Sequence, residues 1–204
     1  MKRFANRQEA GRALAARLAG RPWHDPLVLG LPRGGVPVAK EVATHLNAEL
    51  DVVVARKIGA PGHPEYGVGA VTAGSAPIYD PRVLRALNLT EEQLGHQADV
   101  EREEARRRTA LYRAGRPLVI AGRDVILVDD GLATGVTARA ALHHIAEHAP
   151  KSVTLAVPVA AREALNTFST PVVAVLTPKH FQAVSRWYDS FAQTTDDEVL
   201  RALS

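Results

Sequence analysis

The chain has 204 residues, of which 46% are hydrophobic and 23% charged, with no cysteine and a formal net charge of +3. This length suits one domain with a full core, and the composition excludes a disordered chain, a collagen and a coiled coil. The lack of cysteine excludes disulfides, thiolate zinc sites, iron–sulfur clusters and cysteine nucleophiles, and no apolar run nears the roughly 18 residues of a membrane span.

The N-terminal segment lacks the apolar stretch of a signal peptide, so a cytoplasmic protein is expected. The basic residues are five lysines and 20 arginines, and the densest charged stretch, Glu91 to Arg113, mixes six acids with five arginines. That is a mixed surface and not a basic patch, so nucleic acid is not an expected partner.

In chain order, Asn6 and Glu9 form a capping-box pattern ahead of Ala10, Leu14 and Leu18, which predicts a helix over residues 6–19. Leu27 to Leu31 reads as a short buried strand, broken by Pro32-Arg33-Gly34-Gly35, and residues 36–47 read as helix with Pro37 in the first turn. Asp51 to Ala55 is a second, valine-rich strand, and residues 57–67 read as loop from their glycines and prolines. Val68 to Val71 and Pro77 to Tyr79 suit a hairpin. Thr90 and Gln93 form a second capping box, opening a long helix to about Ala114. It carries a thin stripe of Leu94, Ala98, Ala105 and Leu111, which suits a dimer contact, a second lid or a solvated helix.

Asp124 to Val128 is a continuous apolar strand followed by a Gly/Thr-rich loop and a helix from about Val136 to His148. Ser152 to Val157 and Pro171 to Val175 are further strands around a helix near 161–167, and Thr195 to Glu198 caps a last short helix. Strands alternating with helices predict an α/β domain with a central parallel sheet of about five strands flanked by helices. Ligands of such sheets bind beyond the carboxyl ends of the strands.

One such strand exit carries the chemistry. The run Val125-Ile-Leu-Val-Asp129-Asp130-Gly131-Leu132-Ala133-Thr134-Gly135-Val136-Thr137 delivers two carboxylates and then a loop ending at a helix start. Backbone amides there can hold a phosphate, and the aspartates can accept from the two hydroxyls of a ribose. The loop has no Gly-Lys-Ser/Thr, so it is not a Walker A loop. The acid pair alone also suits a metal-dependent phosphohydrolase, a reading that the Thr-Gly-x-Thr ending opposes. Histidines 143, 144 and 148 follow on the next helix, and they suit a solvated helix face better than a metal site.

Residues 125–137 resemble the phosphoribosyl pyrophosphate (PRPP) signature of type I phosphoribosyltransferases, most closely the adenine form. Leu29 to Gly35 is similar to the family's pyrophosphate loop, with Arg33, Gly34 and Gly35 as its binding residues, and Arg56-Lys57 resembles the basic pair ending its second strand. The resemblance covers about Leu27 to Val175. It implies a single domain over 1–204 with a helical insertion near 90–114 and a small hood built from the termini, including residues 178–204. It also implies magnesium-dependent transfer of phosphoribosyl from PRPP to a nitrogenous base. Asp129 and Asp130 would bind the ribose, Gly131 to Thr137 the 5-phosphate, and Arg33, Gly34, Gly35, Arg56 and Lys57 the pyrophosphate. Lys57, Asp129 and Asp130 would be the catalytic residues. Magnesium would be carried through PRPP near the two aspartates, and residues 59–67 would form a mobile loop. A homodimer is expected by the same analogy.

Ala133 stands where xanthine–guanine and hypoxanthine–guanine enzymes carry an acid, which opposes their mode of base activation and leaves the acceptor open. Four aromatics fall between Phe181 and Phe191 in a chain only 5% aromatic. Phe181 and Trp187 are the candidate base-stacking rings, and packing of the C-terminal segment is the alternative use of the same aromatics. A non-catalytic regulator that senses PRPP is the alternative for the whole chain.

Overall fold

The computed structural model describes residues 3–204, with Glu65 described only by its backbone. Helix α1 (Arg7–Leu18) begins where the Asn6 side chain accepts from the Glu9 amide, and it buries Ala10, Leu14 and Leu18. Strand β1 (Leu27–Gly30), helix α2 (Gly35–Leu46) and strand β2 (Glu49–Val52) follow, then β3 (Ala55–Ala60), β4 (His63–Thr72), β5 (Ile78–Tyr79) and α3 (Pro81–Leu87). A 3-10 turn over Glu92–Leu94 leads into α4 (Gly95–Arg113). The second half runs β6 (Asp124–Val128), α5 (Val136–Ala146), β7 (Ser152–Val159), α6 (Arg162–Leu165), β8 (Val172–Leu176) and α7 (Asp196–Leu203).

Five strands form one parallel sheet in the order β2-β1-β6-β7-β8. Leu27, Leu29, Val125, Leu127 and Leu155 pack against α5 on one face. Their neighbours Val28, Ile126, Val128 and Ala156 pack with α1 and α2 on the other. Burial on both faces is why these strands read as unbroken apolar runs. Strands β1 and β6 pair in register from Leu27 with Val125 to Gly30 with Val128, so their carboxyl ends lie side by side. No helix is long and apolar enough to cross a membrane among the described residues.

The region after β2 departs from the sequence reading. The single strand predicted over Asp51–Ala55 is two: β2 ends at Val52, and Ala55 opens β3 in a separate antiparallel sheet, β3-β4-β5. Arg56 and Lys57 therefore start a hairpin strand and do not end a core strand. Residues 57–67, predicted as loop, form most of that hairpin. Pro61 and Gly62 occupy its two-residue turn, with Gly62 at φ 75°. Gly59 sits where a Cβ would meet the Pro64 backbone at 2.5 Å, beside a register shift. The prolines and glycines mark a turn and a bulge within a strand pair. Helix α3, missed in the sequence reading, is capped by Asp80 with Pro81 at its first position.

Helix α4 lies across the small sheet. Leu94, Ala98 and Ala105 of the predicted stripe are buried, but its last member is Tyr112 and not Leu111, which is 37% exposed. Thr90 and Gln93 do exchange capping hydrogen bonds, ahead of the 3-10 turn. The Tyr112 hydroxyl donates to Asp196 Oδ1 at 2.5 Å, tying α4 to the start of α7. Burial and the adjacent carboxylate push this phenol up to about 12. Tyr112→Phe is expected to destabilise the fold by about 1–2 kcal/mol, read as a lower urea midpoint with an unchanged slope.

Candidate active site

The site forms where β1 and β6 end. The Leu31 amide donates to the Val128 carbonyl at 2.8 Å, carrying the chain past the sheet edge into the Arg33-Gly34-Gly35 turn. The Pro32–Arg33 peptide is cis. A Cβ on Gly34 would lie 2.0 Å from Asp130 Oδ2, and one on Gly35 would lie 2.7 Å from the Val128 carbonyl oxygen and 2.9 Å from Asp129 Cα. The two glycines are thus present for space: the turn after β1 is pressed against the acid pair after β6. The Gly35 amide is engaged in the turn itself, donating to the Leu31 carbonyl at 3.0 Å.

The Asp130 amide donates to Asp129 Oδ1 at 2.8 Å. Burial, reinforced by the neighbouring Asp130 charge, pushes the Asp129 carboxyl well above its usual range. Burial raises Asp130 as well, but Arg7 opposes it. Arg7 places Nε 2.9 Å and Nη2 2.8 Å from Asp130 Oδ2, with both side chains largely buried. The ion pair thus favours the charged form of Asp130 over that of Asp129. The Tyr188 hydroxyl donates to the Asp130 carbonyl at 2.6 Å.

Beyond the acids, Gly131 lies beneath the Val184 side chain, and Leu132 is buried, its amide donating to the Val159 carbonyl at 2.8 Å. Ala133 and Thr134 are exposed. Gly135 adopts φ 72° directly before α5, a conformation that glycine takes at no steric penalty. Among the described residues no side chain caps α5, so its first amides at Val136 and Thr137 remain available to an anion. Arg139 donates to the Thr134 carbonyl at 2.8 Å and pins the loop from the helix side.

The remaining predicted residues are distributed differently. Arg33 lies 3.6 Å from Asp196 at the start of α7. Arg56 points to α4, where Nε and Nη2 both lie 2.9 Å from Glu101 Oε2. The Lys57 stem runs along Gly67, where a Cβ would lie 2.9 Å from Lys57 Cδ and 3.6 Å from Val136 Cγ1, so the hairpin reaches the start of α5. Lys57 also lines a cleft of about 630 Å³ with Arg56, Gln93, His96 and Glu101. Trp187 is 6% exposed, packed with Phe4, Ala10, Val159 and Tyr188. With so little of it exposed, the ring serves the terminal packing, its remaining surface lining a cleft with Arg3, His180 and Arg186. Phe181 is half-buried at the edge of the same cluster. His144 is not on a solvated face: its Nδ1 is 2.8 Å from Ser75 Oγ.

Sequence reasoning missed Arg7, Tyr188 and Arg139. Arg7 lies 123 positions from Asp130, and no motif links them. The only signal was an arginine in the first turn of α1, where a cation opposes the helix dipole.

The chain belongs to the phosphoribosyl transferase family: the profile described as "Phosphoribosyl transferase domain" matches residues 3–190. Its sheet order and flanking helices are those of the type I fold. A protein of Mycobacterium tuberculosis named "Putative phosphoribosyl transferase" is 42% identical over 207 residues, covering 100% of this chain and 47% of its own length. The chain thus spans about half the length of the curated relatives it matches. The crystal structure of TT1426 from Thermus thermophilus is 44% identical with a TM-score of 0.83, covering 98% of this chain and 97% of that one. A hypoxanthine-guanine phosphoribosyltransferase of Bacillus anthracis shares the fold at 14% identity and a TM-score of 0.50, over 88% of this chain and 85% of its own.

Proposed function

We propose that this site transfers the 5-phosphoribosyl group from PRPP to a nitrogenous base in a cytoplasmic setting. The observation that carries the reading is the contact between the Gly34-Gly35 turn and the Asp129-Asp130 pair. It joins a side-chain-free turn suited to a pyrophosphate and carboxylates suited to ribose hydroxyls at one sheet edge. The loop from Gly131 to Thr137 and the open end of α5 then receive the 5-phosphate.

In the reaction, the bond from C1 to the pyrophosphate oxygen breaks with its electron pair leaving on pyrophosphate, a bond from C1 to the base nitrogen forms, and the proton of that nitrogen passes to the released pyrophosphate. The oxocarbenium-like transition state carries positive charge on the ribose, which the Asp130 carboxylate stabilises across the ring hydroxyls. The Gly34 backbone and Lys57 receive the leaving group. Phe181, half-buried, is the ring assigned to stack on the base in this reading.

The donor set fits magnesium. Two carboxylates beside a polyphosphate suit an ion that binds through one or two carboxylates plus substrate phosphates. Among the described residues no group of three or more His, Cys, Asp or Glu could cage an ion. When bound near Asp129 and Asp130, the ion supplies charge neutralisation for the leaving pyrophosphate.

The test is pyrophosphate release from PRPP and magnesium with a mixed pool of nucleobases, the product being identified by mass spectrometry. Base-dependent release with a new nucleoside monophosphate is expected. Saturable PRPP binding without release would instead favour a PRPP sensor.

A further inference from the structure

We propose that Arg7 is a positioning residue of the PRPP site, holding the Asp130 carboxylate in place for the ribose hydroxyls. The inference rests on the PRPP reading above and assigns part of its site to the N-terminal helix.

Arg7 uses its whole guanidinium. Nε donates to one carboxylate oxygen, Asp130 Oδ2, at 2.9 Å, and Nη2 lies 2.8 Å from the same oxygen in an ion pair. Nη1 donates to the Ala192 carbonyl at 2.7 Å, and the plane stacks 3.9 Å over the Phe191 ring. Asp130 Oδ1 receives no hydrogen bond from the described residues, so the carboxylate is gripped on one oxygen and offers the other. Tyr188 fixes the Asp130 carbonyl from the same C-terminal segment. That segment is laced to the N-terminus by Asp189 to Phe4 and Ser190 to Ala5 backbone bonds of 2.8 and 3.0 Å.

A structural role for α1 does not account for this arrangement. A cation at the first helical position opposes the helix dipole, and the Asn6 cap already starts the helix. The groups facing Asp130 among the described residues are Arg7 from α1, Tyr188 from the C-terminal segment, Asp129 from its own loop and the uncharged Gly34 turn. Arg7 thus brings the positive charge to the acid pair. A planar guanidinium sets two nitrogens against one carboxylate oxygen while its face lies on Phe191, a geometry that an ammonium's compact point charge does not reproduce.

The test titrates the wild-type chain, Arg7→Gln, Arg7→Lys and Phe191→Leu with PRPP, ribose 5-phosphate and pyrophosphate by calorimetry, with magnesium present. Arg7→Gln is expected to weaken PRPP and ribose 5-phosphate by about tenfold or more while pyrophosphate changes by less than about twofold. Arg7→Lys should recover part of the loss, and Phe191→Leu should show a smaller loss of the same kind. Unchanged ribose 5-phosphate binding in Arg7→Gln overturns the proposal. So does an equal loss for pyrophosphate, which would make Arg7 a general anion-binding cation. If Arg7→Gln does not fold, unchanged ribose 5-phosphate affinity in both Arg7→Lys and Phe191→Leu overturns it. A wild-type chain that binds none of the three ligands removes the PRPP reading itself, and this inference with it.

Discussion

Gly34→Ala is expected to lower PRPP affinity by about 100-fold and to destabilise the fold by about 1–3 kcal/mol. The backbone is not the reason, since Gly34 has φ −61° and ψ −32°, a conformation any residue adopts. The reason is space: the added methyl would lie 2.0 Å from Asp130 Oδ2 and 2.8 Å from its Cγ. Relief requires Asp130 to swing off Arg7 or the turn to lift off the acid pair, and either motion separates the two halves of the site. Gly20→Ala is the control, because a Cβ there meets nothing within 4 Å, and its effect should stay within about 0.5 kcal/mol. Calorimetric titration and thermal melts read both effects. A Gly34→Ala protein that binds PRPP like wild type would mean that the contact does not matter.

The two aspartates are expected to respond differently to neutralisation. Asp130→Asn leaves the Arg7 guanidinium buried without a counter-charge and should destabilise by about 3–5 kcal/mol. Asp129→Asn keeps an oxygen for the Asp130 amide and removes a carboxyl that burial already pushes up. The folded state therefore holds a proton on Asp129 over a pH range in which the unfolded chain has lost it. That contribution is fully present below the ordinary carboxylate range and is lost as pH rises from there through the raised folded value. Asn has no such loss, so the stability of Asp129→Asn relative to wild type should increase with pH. Melts from about pH 4 to 8 test the order, with each kcal/mol shifting the midpoint by about 2–4 °C for a chain of this size. Both variants should lose PRPP binding. Asp129→Asn falling below wild type by as much as Asp130→Asn would contradict the account.

The sequence made the core legible where one element carried its own signal. Continuous apolar runs marked β1 and β6, the Asn6 and Thr195 caps marked α1 and α7, and thirteen consecutive residues carried the acid pair and the Gly/Thr-rich loop. The hairpin from Ala55 to Thr72 was hidden because Pro61, Gly62 and Pro64 look alike in a loop and in a tight turn. Pairing across that turn is a tertiary fact. The partners of the cations were hidden for the same reason. Arg33 and Arg56 looked available for pyrophosphate, and only the packing of α7 and α4 brings Asp196 and Glu101 to them. Arg7 reaches Asp130 through folded termini, which no local pattern encodes.

The most direct test of the central claim, that the turn after β1 and the acids after β6 build one PRPP site, is a titration of the wild-type chain with PRPP in the presence of magnesium. One saturable site per chain is predicted, competed by both pyrophosphate and ribose 5-phosphate, since each occupies one half of it. No saturable binding at millimolar PRPP, or binding that pyrophosphate alone displaces, would contradict it.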